Sequence, residues 1–315
     1  MNLPGDQTSP GRAPRRCGFR LPLFALLALA LCTLCAGLSS CYFSFTDLFA
    51  ESSAVTERVK DTGAKAIVQP SSSVISSTSP FSFLVVGDPH FGASWAAGSD
   101  VLDAFKNLAA SNDANGKPYA FVLYVGDDAD AGTEAQFQTF AGWASSMKDS
   151  NSIPLPLQWY SAVGNHDLYN GGWSYFRQYI GPSFYRLSAG AYSIYVIDTG
   201  QGTLGNYQID ELKREFSADS RPKIVVSHYP IYGGASVLYY YRLANPREQA
   251  ELLELFAESN VKLIIAGHYH YLVHESVGPY DEWLVESLTV KDGGSTHCFA
   301  VTLTGGSLSL SRLAF

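Results

Sequence analysis

Five short segments of this chain carry carboxylates, imidazoles and an amide in combinations that suit a metal ion. They are Gly87-Asp88-Pro89-His90, Gly126-Asp127-Asp128-Ala129-Asp130, Gly164-Asn165-His166-Asp167, Ser227-His228 and Gly267-His268-Tyr269-His270. Imidazole nitrogen mixed with carboxylate oxygen is a donor set for Fe, Mn or Zn. Asp88 and His90 are two residues apart, as are His268 and His270, so in extended chain each pair presents its side chains to one side. Asp127 has two oxygens and is able to bridge two cations, and Asn165 adds a neutral oxygen donor. A single His beside an apolar run is more often a satisfied core residue than a ligand. Here five of the seven His fall inside these segments, while His274 and His297 lie outside them without such neighbours. It is the joint occurrence that carries the metal reading.

The segments need rigid supports, and each follows a short apolar run. Phe83–Val86, Ala120–Val125, Trp159–Val163, Lys223–Val226 and Leu263–Ala266 read as strands that stop where the donors begin. Further strands are expected at Tyr192–Ile197, Trp283–Val290, Phe299–Leu303 and Ser307–Leu313. Helices are expected over Asp100–Ala110, Glu134–Met147, Trp173–Ile180, Ile209–Phe216 and Pro246–Ser259. The last has Asn245 as cap and Pro246 at its first position. Strands alternating with helices argue for an α/β domain. In such domains functional groups gather beyond the carboxyl ends of strands. A Gly ahead of the donors lets the chain turn sharply and come close to what is bound.

In order and complete, D-x-H, G-D-x-x-D, G-N-H-D, H and G-H-x-H resemble the motif set of the calcineurin-like metallophosphoesterase superfamily, in particular its acid phosphatase and cyclic-nucleotide phosphodiesterase branches. The resemblance spans residues 81–315. It implies two mixed β-sheets packed face to face with helices outside, a four-layer α/β/β/α sandwich. It also implies two divalent or trivalent transition-metal ions. Asp88, His90, Asp127 and His270 would hold one; Asp127, Asn165, His228 and His268 would hold the other. A hydroxide formed from a shared water would attack the phosphorus of a small phosphorylated substrate. His166, not a ligand in the family, would protonate the leaving group, with Asp167 orienting it. Asp130 is expected as a partner of a ligand His, and Asp128 as either a residue just behind the ligands or a solvated one. The alternative reading is a non-catalytic metal- or phosphate-binding surface lipoprotein on the same fold.

The remainder of the chain sets the surroundings. Its 315 residues are 46% hydrophobic and 16% charged, with a net charge of -8, which permits a substantial core. Residues 1–40 hold Arg12, Arg15, Arg16 and Arg20 against Asp6 alone, so the rest is more acidic still. Such a surface repels polyanions, and no nucleic-acid partner is expected. The basic stretch precedes an apolar run from Leu21 to about Leu38, the layout of an export signal. It ends in Leu38-Ser39-Ser40-Cys41, which resembles a bacterial lipobox with Cys41 as the lipidated residue. An uncleaved membrane anchor is the alternative. The expected organisation is a signal peptide over 1–40, a Ser-rich spacer over 41–80 and a metallophosphoesterase domain over 81–315, exported and held at a membrane by the lipid. Of the five Cys, only Cys298 lies beyond residue 41, so no disulfide is expected within the domain. Tyr232, Tyr239, Tyr240 and Tyr241 follow His228 in a loop and suit either a substrate wall or ordinary packing.

Overall fold

Alternation within the strands decides the layering. The computed structural model describes residues 47–61, 67–68, 80–152, 154–235, 237–289 and 296–315. Residues 1–40 and Cys41 lie outside them, and with them the export and lipidation expectations. Among the described residues no helix is long and apolar enough to cross a membrane.

Strand β2 (Phe81–Val86) shows the principle. Phe81, Phe83 and Val85 project to one side and join Phe121, Leu123, Ile194, Val196, Ile224 and Ile265 in a core between two sheets. Leu84 and Val86 project to the other side and pack with Phe105, Phe140, Ala144 and Met147. A side-chain period of two, buried on both faces, makes β2 a central strand with apolar material above and below.

The first sheet has five strands, in the order β12 (Ser307–Ala314), β11 (His297–Thr304), β2, β3 (Phe121–Tyr124) and β4 (Gln158–Ser161). β2, β3 and β4 run parallel, while β11 pairs antiparallel with both β2 and β12. The second sheet has seven strands, in the order β1 (Ile67–Val68), β5 (Tyr185–Ala189), β6 (Tyr192–Val196), β7 (Lys223–Val226), β8 (Val261–Ala266), β10 (Tyr280–Leu284) and β9 (Val273–Val277). Here β6, β7, β8 and β10 are parallel neighbours, and β5 and β9 pair antiparallel with β6 and β10.

Helices cover both outer faces. α1 (Asp47–Asp61), α5 (Gly205–Ala218) and α6 (Pro246–Glu258) lay Val55, Val59, Ile209, Leu212, Leu252 and Phe256 on the outer face of the seven-stranded sheet. α2 (Ser99–Ala109) and α3 (Glu134–Ser145) cover the five-stranded one. A short α4 (Trp173–Tyr179) follows a 3-10 turn at His166–Gly171. The four-layer arrangement is the expected one. α6 starts as its sequence predicts: Asn245 accepts from the backbone N–H groups of Arg247 and Glu248, and Pro246 opens the helix. α3 begins with a capping box between Thr133 and Gln136.

Five elements depart from expectation. The stretch read as a spacer contributes α1 and β1. Arg58 of α1 is buried and forms a bidentate pair with Asp198, at 2.8 and 2.9 Å, and donates to Gln201. The strand expected over Trp283–Val290 is displaced to Tyr280–Leu284. Strands β5 and β9 were not expected, because their apolar residues alternate with polar ones over only five positions.

Candidate metal centre

The carboxyl ends of β2, β3 and β4 in one sheet and β7 and β8 in the other open at the same edge of the sandwich. The loop after β2 carries Asp88 and His90, the loop after β3 carries Asp127, and the loop after β4 carries Asn165. His228 follows β7, and His268 and His270 follow β8. Thus two sheets that otherwise meet through apolar side chains contribute polar atoms to one cluster.

The backbone route is not the extended one. Asp88, His90, Asp127, His268 and His270 all have positive φ, at 33°, 44°, 53°, 64° and 64°. Among non-glycine residues this conformation is sparsely populated and costs free energy that the surrounding structure must supply. Only Asn170 and Asn260 share it among the described non-glycine residues. The donors therefore converge because the chain turns at each of them, not because alternate residues of a strand share a face. Close approach does the rest. A Cβ on Gly267 would stand 2.7 Å from Asp88 Oδ2, and one on Gly126 would stand 2.8 Å from both Gly164 N and His228 Nδ1.

The side chains expected as ligands lie close together. One oxygen or nitrogen from each of Asp88, His90, Asp127 and His270 falls within 4.8 Å of every other, and the same holds for Asp127, His228 and His268. Asn165 joins the second set through its Oδ1, 3.0 Å from His228 Nε2. Asp127 stands between the sets: its Oδ2 is 3.5 Å from His90 Nε2 and 3.4 Å from His228 Nε2. Its Oδ1 accepts from the backbone N–H of His166 at 2.8 Å. Asp88 accepts from the backbone N–H of His268 at 3.1 Å, tying the two sheets together.

The donor set fits cations on its own chemistry. Asp88 Oδ2 is buried without a hydrogen-bond partner, a costly state for a carboxylate. His228 Nδ1 lies 2.9 Å from the Val125 carbonyl oxygen, which can only accept, so this nitrogen carries the hydrogen. The opposite nitrogen then turns a lone pair toward Asn165 Oδ1 and Asp127 Oδ2 unless a proton or a metal ion intervenes. His90 Nε2 and His270 Nε2 face each other at 3.2 Å with the same need.

Electrostatics tell the same story. Burial would push the Asp127 carboxyl up, but His228, His166 and His90 outweigh it and hold it well below the usual range. Burial would lower His228, but Asp127, by charge and hydrogen bond, lifts it to about 9. Asp88 is raised, chiefly by burial and against the pull of His270 and His228. His268 is pushed well below its ordinary value by burial and by His228. A bound cation takes over the charge balance that these protons otherwise provide.

Among the surrounding residues, Asp167 sorts differently from expectation, and Asp128 takes one of its two expected places. Asp167 does not orient His166. Its two oxygens accept from the backbone N–H groups of Ala129 and Gly164, at 2.9 and 2.8 Å, which locks the Asp127 and Asn165 loops together. Burial and then Asp127 raise its carboxyl to about 7. His166 is held instead by the main chain of Asp130, with Nδ1 2.6 Å from the carbonyl oxygen. The Asp130 carboxylate also lies 3.4 Å from His90 Nδ1, where a partner of a ligand His belongs. Asp128 is not solvated: it is fully buried, both oxygens lack a hydrogen-bond partner, and burial followed by Asp167 raises its carboxyl well above the usual range.

Several site residues carry no signal in the sequence. The Tyr229 ring stacks on His268 at 3.8 Å, and Trp95 lies 4.6 Å from His90, so aromatic faces back both sets of ligands. Thr199 Oγ1 accepts from the backbone N–H groups of His228 and Tyr229 and fixes that turn. No motif points to Tyr169, yet its hydroxyl accepts from the Asn165 amide at 3.1 Å and so points the Asn165 oxygen toward His228.

This fold and cluster agree with the comparisons. Residues 81–272 match the model of the family described as Calcineurin-like phosphoesterase, and the chain belongs to that family. A protein from Fibrobacter succinogenes named "Probable cyclic nucleotide phosphodiesterase" is 28% identical over 193 residues, which are 59% of this chain and 71% of that protein. A dimetal phosphatase from Danio rerio superimposes with a TM-score of 0.55 at 12% identity, covering 74% of this chain and 95% of that one. A purple acid phosphatase from yellow lupin gives 0.54 at 13% identity, covering 75% and 52%. At these identities the two structures speak for the fold.

Proposed function

We propose that this chain is a phosphoric ester hydrolase acting on a small phosphorylated molecule, with a pair of transition-metal ions (Fe, Mn or Zn) and with His166 as the proton donor to the leaving group. The observation that carries the reading is the position of Asp127 Oδ2, within 3.5 Å of one His of each ligand set. One carboxylate oxygen between two groups of nitrogen donors suits a bridged pair of ions better than a single structural one.

Asp88, His90, Asp127 and His270 would hold the first ion, and Asp127, Asn165, His228 and His268 the second. Bound there, the ions would supply Lewis acidity toward phosphate oxygens and a water. The protein's own part is orientation and proton transfer. The Asp130 carbonyl fixes Nδ1–H of His166, which leaves Nε2 as the atom that exchanges a proton with the departing oxygen. His166 keeps about a quarter of its side chain exposed, so it is open to a substrate, whereas His90 beside it is buried. The two rings meet edge to face at 4.6 Å. Asp167 keeps the loops of Asp127 and Asn165 at fixed separation while this happens.

The same proposal places the protein outside the cytoplasm, anchored to a membrane through a lipid on Cys41. That part rests on the order of basic stretch, apolar run and Ser-Ser-Cys in the first 41 residues.

The test is hydrolysis of p-nitrophenyl phosphate and bis(p-nitrophenyl) phosphate by protein loaded with Mn, Zn or Fe, alongside elemental analysis. Turnover with about two ions per chain supports the proposal. Full metal occupancy without turnover of either ester favours the binding protein on the same fold.

A further inference from the structure

One imidazole of the cluster has a nitrogen that the proposed pair of ions does not use. His90 turns Nε2 toward Asp127 Oδ2 and His270 Nε2, at 3.5 and 3.2 Å. Its Nδ1, on the other side of the ring, is buried and has no hydrogen-bond partner. What this nitrogen faces is Asp130 Oδ1, 3.4 Å away, and the same oxygen lies 3.6 Å from His166 Nδ1. One donor atom from each of His90, Asp130 and His166 falls within 4.8 Å of the other two.

These separations are long for hydrogen bonds, whose nitrogen-to-oxygen distances reach about 3.2 Å. They suit donors that share a cation. Atoms set tetrahedrally at about 2.0–2.1 Å from a zinc ion stand about 3.3 Å from one another. Two imidazole nitrogens among three donors favour a transition ion over magnesium or calcium, which take oxygen. The group is also open to solvent, since 23% of the His166 side chain and 27% of the Asp130 side chain are exposed.

We propose that His90 Nδ1, Asp130 Oδ1 and His166 Nδ1 form a third cation site, which takes a zinc ion supplied in excess of the first two and thereby withdraws His166 from proton donation. The withdrawal of His166 rests on the hydrolase reading of the neighbouring centre; the binding of the ion does not. The proton count makes this the last site to load. With Nε2 on the first ion, His90 gives its Nδ1 hydrogen to solvent as that nitrogen binds, and the imidazolate ring then bridges two cations. His166 keeps its hydrogen but moves it from Nδ1 to Nε2. A ring with a cation on one nitrogen holds the hydrogen on the other far more firmly than an imidazolium does, so the leaving oxygen goes without its proton.

The test adds zinc to the full chain already carrying metal and counts bound zinc by equilibrium dialysis with elemental analysis. One zinc per chain beyond the first two is expected, and magnesium at the same concentration should leave the count unchanged. Asp130→Ala, which keeps the carbonyl that holds His166, and separately His166→Ala should each weaken this last zinc about tenfold or more. Anomalous scattering from a zinc-soaked crystal of the unaltered protein, which depends on no variant, should place the ion between the three side chains. In kinetics, its binding should slow an alkyl phosphate ester about tenfold or more and p-nitrophenyl phosphate far less. A count that stops at two, a last zinc that both variants retain, or an anomalous peak elsewhere would overturn the site and leave an adventitious ion only. Equal slowing of the two esters would overturn the withdrawal of His166. If no ester turns over while the zinc binds and both variants lose it, the hydrolase reading fails and the third site stands.

Discussion

The His166 imidazole is oriented by the backbone carbonyl oxygen of Asp130, 2.6 Å from Nδ1, and not by the carboxylate next to it in sequence. The carbonyl fixes the tautomer, and the Asp130 carboxylate lies 3.6 Å from the same nitrogen. The His166→Ala variant is expected to keep both ions and lose about a hundredfold in kcat on an alkyl ester, whose leaving oxygen needs a proton. On a p-nitrophenyl ester, whose leaving group departs as a stable anion, the loss should be much smaller. Comparing the two esters with metal content measured checks this; equal losses would remove His166 from the role of proton donor.

Asp127 belongs to both candidate donor sets, so under the proposed reading it cannot be removed from one alone. Asp127→Ala is expected to lower bound metal from about two ions to one or none per chain and to reduce kcat/KM at least about a hundredfold. Elemental analysis of the purified variant, beside kinetics, reads both.

Asp167 braces two loops through backbone N–H groups, and an amide in its place would set an NH2 against one of those donors. Asp167→Asn should weaken metal binding by about tenfold or more while leaving unchanged the ratio of rates on alkyl and nitrophenyl esters. A change in that ratio would return Asp167 to a part in proton transfer.

Asp219, far from the ligands, gives a pH prediction. It accepts from Ser193, Tyr195 and Arg221 and lies 3.4 Å from Arg186. Burial opposes its charge, but the bonds from Arg221 and Ser193 outweigh burial and hold its carboxyl well below the ordinary 3.8. A folded-state pKa below the unfolded one adds stability that is fully present above the unfolded value and is lost as pH falls through the folded one. Wild type should therefore melt higher than Asp219→Asn at pH 7, with the gap closing below about pH 4. Melting curves at pH 7, 5 and 3 check the sign.

Arg58 joins α1 to the rest of the domain through Asp198 and Gln201 in a buried setting. Arg58→Ala leaves Asp198 buried and uncompensated, and is expected to cost about 3 kcal/mol. Urea unfolding of the full chain measures it, and protease cleavage before residue 62 should quicken in parallel.

The donors were legible because metal binding restricts residue types severely: few positions accept His, Asp or Asn at the end of an apolar strand by chance. Their route was not. Asp88-Pro89-His90 reads as extended, yet both ends adopt positive φ, held by hydrogen bonds with Asp127, His268 and Ser287, which are distant in sequence. Asp167 was misplaced for a related reason. Neighbours in sequence diverge within a turn, so adjacency to His166 implied a partnership that the fold gives to Asp130. Strand β9, Val-His-Glu-Ser-Val, is recognisable only through its partner β10. In the helix over Asp47–Asp61, Val55 and Val59 are buried, but its apolar residues are too few to set a clear period.

The division of the ligands between two sheets sets an order of events. Asp88 and His270 stand 182 positions apart, at opposite ends of the ligand series. A chain that has formed only β2, β3 and β4 holds Asp88, His90, Asp127 and Asn165 but none of the three later imidazoles. Under the proposed two-ion reading, strong capture of ions waits until both layers have closed, so folding would come first and loading afterwards.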